Sequence, residues 1–303
     1  EEDAEMVQRI MHDLCLPSLV SKRPVWDTFP GAWYTQAADV VMPNGRTLQV
    51  ATYHHYKDQW ANAFDLSYED PEGNTKPCHQ TTFGMSERLL GAVVGMHGDD
   101  NGLILPPAIA PIQVVVMPIA AHADSNVEPA ARALAERLSA SGIRVELDTR
   151  DVRPGVKHYD WEIKGVPIRI ELGPRDLSAG KFVLTLRTGS KSEKIIDEAE
   201  KSVLESLEAL ADDLRHRAKS LFSDKVRPFP FDNLNYDASQ ESSIEDGIVY
   251  QIAFEGNDSD AEFLEKKTGL TLLGECDDEF PEERKCLITG KATKKMQHIA
   301  RMY

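Results

Sequence analysis

Three prolines within six residues, Pro106, Pro107 and Pro111 in LILPPAIAP, restrict the backbone and remove amide donors, so neither a helix nor a central strand can run through this stretch. The chain therefore has to fold as separate pieces on either side of it. Downstream, QVVVMPI reads as a continuous apolar strand and VEPAARALAERLSAS as a helix that stops at Gly142. IRVELD then reads as a strand, VKHYDWEIKG as a short helix, and VPIRIEL and FVLTLR as two more strands. Strand and helix alternating at this spacing predict a small α/β domain with a largely parallel sheet over about residues 111–190. A long helix over roughly 193–222 follows, with Ile195, Leu204, Leu207, Leu210, Leu214 and Leu221 near helical spacing, and RPFPFDN ends it.

Upstream the rhythm differs. After an opening charged helix, EEDAEMVQRIMHDL, come strand-like pieces such as TLQVATYHHY and NAFDLSYED, with turns at MPNGRT and at Pro71 to Asn74. These predict a mostly antiparallel sheet with helices over residues 1–108. Past the long helix, GIVYQIAF reads as a strand, residues near 259–268 as a helix, and MQHIARMY as a closing strand. The expected organisation is thus 1–108, then an α/β domain with its long helix over 109–222, then a small α+β unit over 223–303.

Charge limits the partners. With 34 basic and 50 acidic residues the net charge is -16, which argues against a polyanion bound over the whole surface and leaves room for a focused contact. Between Arg144 and Lys181 the balance is eight basic to seven acidic, near neutral inside an acidic chain. Cys15, Cys78, Cys276 and Cys286 are too scattered for a disulfide framework, and no apolar run approaches the roughly 20 residues of a membrane span. The expectation is a reducing cytoplasm with no membrane partner. The chain begins without an initiator Met, so it is expected to start inside a longer protein.

HQTTFGMSERLLGAVVGMHGDD carries the most chemistry. Gly84 permits a close approach, Ser86 can cap the helix that follows, and Arg88 falls in that helix's first turn. Amides and dipole there already favour an anion, so a cation is misplaced unless a phosphate joins it. In LQVATYHHY, Thr52 and His54 share one face of a strand by alternation, and Gln49 faces the other way unless a bulge intervenes.

In series, VWDTFPGAWYT, LQVATYHHY, HQTTFGMSER, HGDDNGLILPPAIAPIQVVVMPI, DTRDVRPGVKHYDWEIKGVPIRIELGPRDL and a terminal RMY resemble the C-terminal two-thirds of a prolyl-tRNA synthetase of the archaeal and eukaryotic type. The resemblance implies an α+β chain: the remainder of a class II antiparallel-sheet catalytic domain, an α/β anticodon-binding domain, and a small C-terminal domain. It implies an enzyme that forms prolyl-adenylate from proline and ATP, with Mg²⁺, and passes the prolyl group to tRNA(Pro), working as a homodimer in the cytoplasm.

By that likeness GMSER is motif 3, and Arg88 is the arginine that stacks on adenine and meets the ATP phosphates. Gln49, Thr52 and Ser86 accompany it at ATP. His54, Thr52, Phe83, Ser86 and Gly84 surround proline, and Arg150, Arg153, Lys157, Glu171 and Arg175 face the anticodon. Ring contacts alone discriminate proline from alanine by only roughly 1–3 kcal/mol. Motifs 1 and 2 are absent from these residues, which implies a fragment or a split protein whose other chain supplies them. The alternative is a noncatalytic tRNA-binding accessory protein, against which the retention of Arg88, Thr52 and His54 argues. Relatives often bind structural zinc through paired cysteines; here those positions read Glu255, Asp260, Cys286 and Thr289, so no zinc is expected. The family habit of ending in Tyr is met by Tyr303, with its carboxylate expected close to the active site.

Overall fold

The chain was described in a computed structural model covering residues 2–234 and 243–303. It opens with α1 (Glu2–Asp13), β1 (Ser18–Lys22), β2 (Tyr34–Val41) and β3 (Thr47–Lys57). The β2–β3 hairpin turns through MPNG, where the Gly45 amide donates to the Met42 carbonyl at 2.7 Å. Gly45 sits at φ +76°, and a Cβ there would collide with the backbone of Gly247, so only glycine fits. Next come α2 (Gln59–Phe64), β4 (Ser67–Glu69), β5 (Thr75–Pro77), β6 (Gln80–Met85) and α3 (Arg88–His97). NAFDLSYED, expected as a strand, closes a helix in its first half. Asp65, left-handed at φ 55°, ends that helix, and only Ser67–Glu69 is extended. One turn of helix is too short for periodicity to tell it from a strand.

The middle of the chain runs β7 (Val114–Pro118), α4 (Val127–Ala140), β8 (Val145–Leu147), α5 (Pro154–Ile163), β9 (Ile168–Leu172), α6 (Pro174–Ser178), β10 (Lys181–Leu186) and β11 (Lys191–Ile195). Their sheet has the order β11-β10-β9-β7-β8. β7 pairs in parallel with β8 and β9, while β10 and β11 are antiparallel, so the sheet is parallel only where helices make the crossovers. Ile195, expected on the long helix, instead ends β11 opposite Lys181; the helix, α7, is Ala199–Lys225. The chain closes with β12 (Val226–Pro228), β13 (Val249–Ala253), α8 (Asp258–Thr268), β14 (Thr271–Lys285) and β15 (Ala292–Ala300). The long strand β14 escaped sequence reading. It carries Gly274 and Pro281 among acidic residues, and its register against β15 breaks three times.

Contacts divide the chain into two compact units, one of Glu1–Met11, Pro17–Ala92 and Lys219–Tyr303, the other of His12–Leu16 and Val93–Ala218. The first holds an eight-stranded sheet in the order β12-β13-β15-β14-β1-β2-β3-β6. Residues 223–303, expected as a unit of their own, continue the sheet of the N-terminal segment, because β14 pairs with β1 at Glu275 and Lys22. Leu19, Val41, Val249, Leu273 and Ala300 form one of its cores, and α8 covers another at Ile252, Leu272 and Ile299 through Ala261 and Leu264. In the second unit Val114, Val116, Ile168, Ile170 and Leu184 pack under α4 and α7, while Val115 and Met117 face Trp161 of α5. Each fully buried aliphatic side chain contributes about 1.5–3 kcal/mol.

Candidate functional site

The site on the first sheet is built by a bulge. Ala38 of β2 pairs with Ala51 and the adjacent Asp39 pairs with Gln49, so Val50 is an extra residue on β3. One inserted residue reverses the alternation, and Gln49 is thereby brought to the face of Thr52 and His54. Opposite Thr52 on β6 stands Gly84, and opposite His54 stands Thr82. A Cβ on Gly84 would meet nothing within 4 Å, so the glycine leaves open room above the strand. Phe83 pairs with Tyr53 and belongs to the opposite face.

The same face carries a buried ion pair, since Asp39 pairs with Gln49. Arg23 donates Nη2 to both carboxylate oxygens of Asp39 at 2.9 Å and Nη1 to the Leu273 carbonyl at 2.9 Å. Burial pushes the Asp39 carboxyl up, and the Arg23 guanidinium opposes it. The pair fastens β2 to β14 beside the bulge.

His54 is held from below. Thr35 Oγ1 accepts the Phe29 amide at 3.0 Å and lies 2.9 Å from His54 Nδ1. Thr35 is only 3% exposed, so its hydroxyl proton has Nδ1 as acceptor, which leaves the ring proton on Nε2. Burial lowers the His54 pKa from its ordinary 6.5, keeping the ring neutral.

β6 leads straight into α3. The Ser86 amide reaches the carbonyl of the bulge residue Val50 at 3.4 Å, and the Ser86 carbonyl accepts from Leu89 at 3.0 Å. The backbone of Ser86 starts the helix; its hydroxyl makes no hydrogen bond among the described residues. Arg88 is the first residue of α3, exposed, and without an ion-pair partner among the described residues.

Sequence reading named no site residue in VWDTFPGAWYT, and the structure puts its Phe29 and Thr35 beside His54. The Phe29 ring lies 4.8 Å from that of His54, Tyr56 lies 6.3 Å from Phe29, and Trp60 lies 6.1 Å from Tyr56. Gly31, at φ +86°, faces the Trp60 ring so closely that an added Cβ would lie 3.1 Å from it. Tyr56 and Trp60 also line an open cavity of about 580 Å³ with Gln80 and Thr82. The signal available was four aromatics within nine residues around one glycine. Tyr303 is tied to the start of β3, its amide donating to the Thr47 carbonyl at 3.1 Å and its hydroxyl accepting from Asn44 at 2.9 Å.

In the second unit two of the predicted basic residues, Arg150 and Lys157, meet Asp148, which is 3% exposed. Its carboxylate accepts Arg150 Nε at 3.0 Å, Arg150 Nη2 at 2.7 Å and Trp161 Nε1 at 2.7 Å. Burial alone would raise that carboxyl, but these hydrogen bonds and the Lys157 charge outweigh it and hold the pKa at about 2. Arg150 also reaches Asp160 at 2.7 Å, so its guanidinium is fixed at the surface. Lys157, expected to point outward with Arg150 and Arg153, is buried at 5% exposure. Its ammonium donates to the Asp148 carbonyl at 2.9 Å, because an unpaired cation could not be enclosed there. Arg153 is exposed at the cap of α5, and Arg175 is exposed in the first turn of α6. Glu171 is committed to Arg169 at 3.1 Å and lies 3.3 Å from His158.

A family model described as an anticodon binding domain matches residues 113–206. The proline–tRNA ligase of Thermococcus kodakarensis is 43% identical over all of this chain and 63% of its own length, and that of Pyrococcus horikoshii is 42% identical over all of this chain and 64% of its own. Along its whole length the chain is similar to prolyl-tRNA synthetases. It corresponds to the C-terminal part and spans about 63% of the length of those synthetases. A solved structure of Giardia lamblia prolyl-tRNA synthetase in complex with prolyl-adenylate superposes with a TM-score of 0.88, at 29% identity over 99% of this chain and 65% of that one.

Against this synthetase background the C-terminal positions are informative. The buried Cys286 sulfur accepts the Glu255 amide at 3.3 Å. Burial would raise its thiol pKa, but hydrogen bonds from Thr289 and the Glu255 amide outweigh it and lower it from 9.0. Asp260 instead caps α8, accepting the Asn257 amide at 2.9 Å. Three of the four positions thus gather at one spot, with a single sulfur among them.

Proposed function

We propose that this chain is the part of a proline–tRNA ligase that holds ATP and proline on the face made by Gln49, Thr52 and His54 and holds tRNA(Pro) through the second unit. The observation that carries the reading is the Val50 bulge, which gathers Gln49, Thr52 and His54 onto one face beside the open space at Gly84. Arg88, unpaired at the start of α3, supplies a planar cation for adenine and phosphate. His54, neutral with its proton on Nε2, donates a hydrogen bond and does not act as a base. Attack of the proline carboxylate on the α-phosphate needs position and charge stabilisation more than proton transfer.

Mg²⁺ would enter on the triphosphate, keeping much of its water. This chain's residues are assigned to the nucleotide that would carry the ion. The ring slot for proline falls to Phe29 and His54, and the exposed Arg150, Arg153 and Arg175 are assigned to the anticodon, phosphate contacts setting affinity and unstacked bases setting sequence. The assembly is read as a cytoplasmic homodimer in which motifs 1 and 2 come from outside these residues.

The test is Arg88→Lys in the protein that carries these 303 residues. Proline-dependent exchange of pyrophosphate into ATP should fall about tenfold or more, with tRNA affinity nearly intact. Equal loss of exchange and of tRNA binding, or unchanged exchange, would remove Arg88 from the nucleotide.

A further inference from the structure

The Gln49 side chain makes no hydrogen bond among the described residues, although its cross-strand neighbour is a buried acid. The Val50 bulge turns Gln49 to the face of Thr52 and His54, and the same step sets it directly opposite Asp39 on β2. Side chains opposed in this way stand about 4.5–5.5 Å apart at Cβ, within reach of a bond between carboxamide and carboxylate. Asp39 is 0% exposed, so its oxygens cannot turn to water. Left alone, the carboxylate would take the Gln49 Nε2 group as its donor, and once protonated it would also donate to Gln49 Oε1. Either bond would draw the carboxamide onto β2 and away from a ligand.

Arg23 prevents this. Its Nη2 reaches Asp39 Oδ1 and Oδ2, each at 2.9 Å, and among the described residues no other side chain or amide donates to that carboxylate. Nη1 is anchored on the Leu273 carbonyl at 2.9 Å and Nε lies 3.5 Å from Asp27 Oδ2, so the guanidinium is held from three sides. A charge-assisted bond outcompetes a neutral amide for the same acceptor. Next along β3, the Val50 carbonyl receives the Ser86 amide at 3.4 Å, so the free carboxamide stands at the end of the strand where α3 and Arg88 begin.

We propose that Arg23 and Asp39 are positioning residues for nucleotide binding: Arg23 occupies the buried carboxylate, and the Gln49 carboxamide stays free to meet the nucleotide. Neither residue is assigned a contact with substrate. Their role rests on the assignment of Gln49 to ATP, and it explains how a buried acid can fasten the sheet beside that side chain without capturing it.

The experiment measures the KM for ATP in proline-dependent pyrophosphate exchange, in the protein that carries these 303 residues. Gln49→Leu sets the scale, with a rise of about tenfold expected for one lost hydrogen bond. Arg23→Met should raise the KM for ATP by a similar factor and leave the KM for proline nearly unchanged. Adding Asp39→Leu removes the acid that captures Gln49, and two apolar side chains in place of a buried pair keep the fold, so the KM should return to within about threefold of the wild type. In the Gln49→Leu background Arg23→Met should add no further rise. Melting curves identify any variant that has lost its fold. Asp39→Asn leaves Arg23 an acceptor while presenting a donor to Gln49 Oε1, so it should also raise the KM and serves if Arg23→Met does not fold. An ATP KM that these single variants leave unchanged, a rise that Asp39→Leu does not reverse, or a further rise in the Gln49→Leu background would overturn the positioning role while the assignment of Gln49 stands. An unchanged KM in Gln49→Leu itself would overturn that assignment and the positioning role with it.

Discussion

Arg150 and Asp148 face each other through two parallel hydrogen bonds, Nε to Oδ1 at 3.0 Å and Nη2 to Oδ2 at 2.7 Å. The carboxylate is buried and the guanidinium half-exposed, so the pair ties a surface cation to a fixed point in the core. Asp148 therefore positions the residue proposed to meet the anticodon.

Asp148→Asn should weaken tRNA binding through Arg150 and remove an acid-dependent share of stability. The folded carboxyl titrates at about 2, below its usual 3.8, so its contribution is present above pH 3.8 and is lost as pH falls toward 2. Urea unfolding of the wild type should lose on the order of 2 kcal/mol across that window, and the variant should show a flatter profile.

Thr35→Val should release His54. The variant loses the hydroxyl that meets Nδ1 and leaves the Phe29 amide unpaired, at a cost of about 1–3 kcal/mol. Ring nitrogen shifts should report the Nε2-protonated form in the wild type and a mixture of tautomers in the variant. An unchanged spectrum would mean that Thr35 does not set the tautomer.

Gly84→Val should separate folding from function. A β-branched residue suits a strand, and nothing lies within 4 Å of the new Cβ, so the melting temperature should hold or rise slightly. Activity of the protein carrying this chain should fall because the side chain fills the space assigned to substrate. Parallel loss of stability and activity would show that the glycine serves the fold.

His298→Leu should flatten the stability profile between pH 6.5 and 4. Burial lowers the His298 pKa to about 4, so within this window the unfolded chain takes up a proton that the folded chain refuses. Wild-type stability should drop by roughly 2–3 kcal/mol as pH falls across it, and the variant should lose that slope.

The strands from QVVVMPI to FVLTLR and the turn at GMSER were legible because their apolar period and their glycine and proline breaks are local properties. The hairpin edge at Ile195 and the long strand β14 were not, since irregular or polar strands carry no periodic signal until a neighbour supplies the register. Sequence alternation paired Thr52 with His54 unaided. It could not place Gln49, because the bulge that turns this residue arises from the pairing of β3 with β2.

What the chain's order of residues settled, then, was the likeness to prolyl-tRNA synthetases, the α+β class, the proline-marked break and the residue types available for phosphate and imino acid. Tertiary structure decided which of them are free to act. Lys157 and Arg150 look equivalent in the sequence, yet burial binds one to the Asp148 backbone and leaves the other at the surface. Glu171 and Arg175 look equally available in the sequence, yet Glu171 is committed to Arg169 and Arg175 is exposed. The physical reason is the same in each case: a charge's availability depends on solvent exposure and on partners distant in sequence, and neither exists until the chain has folded.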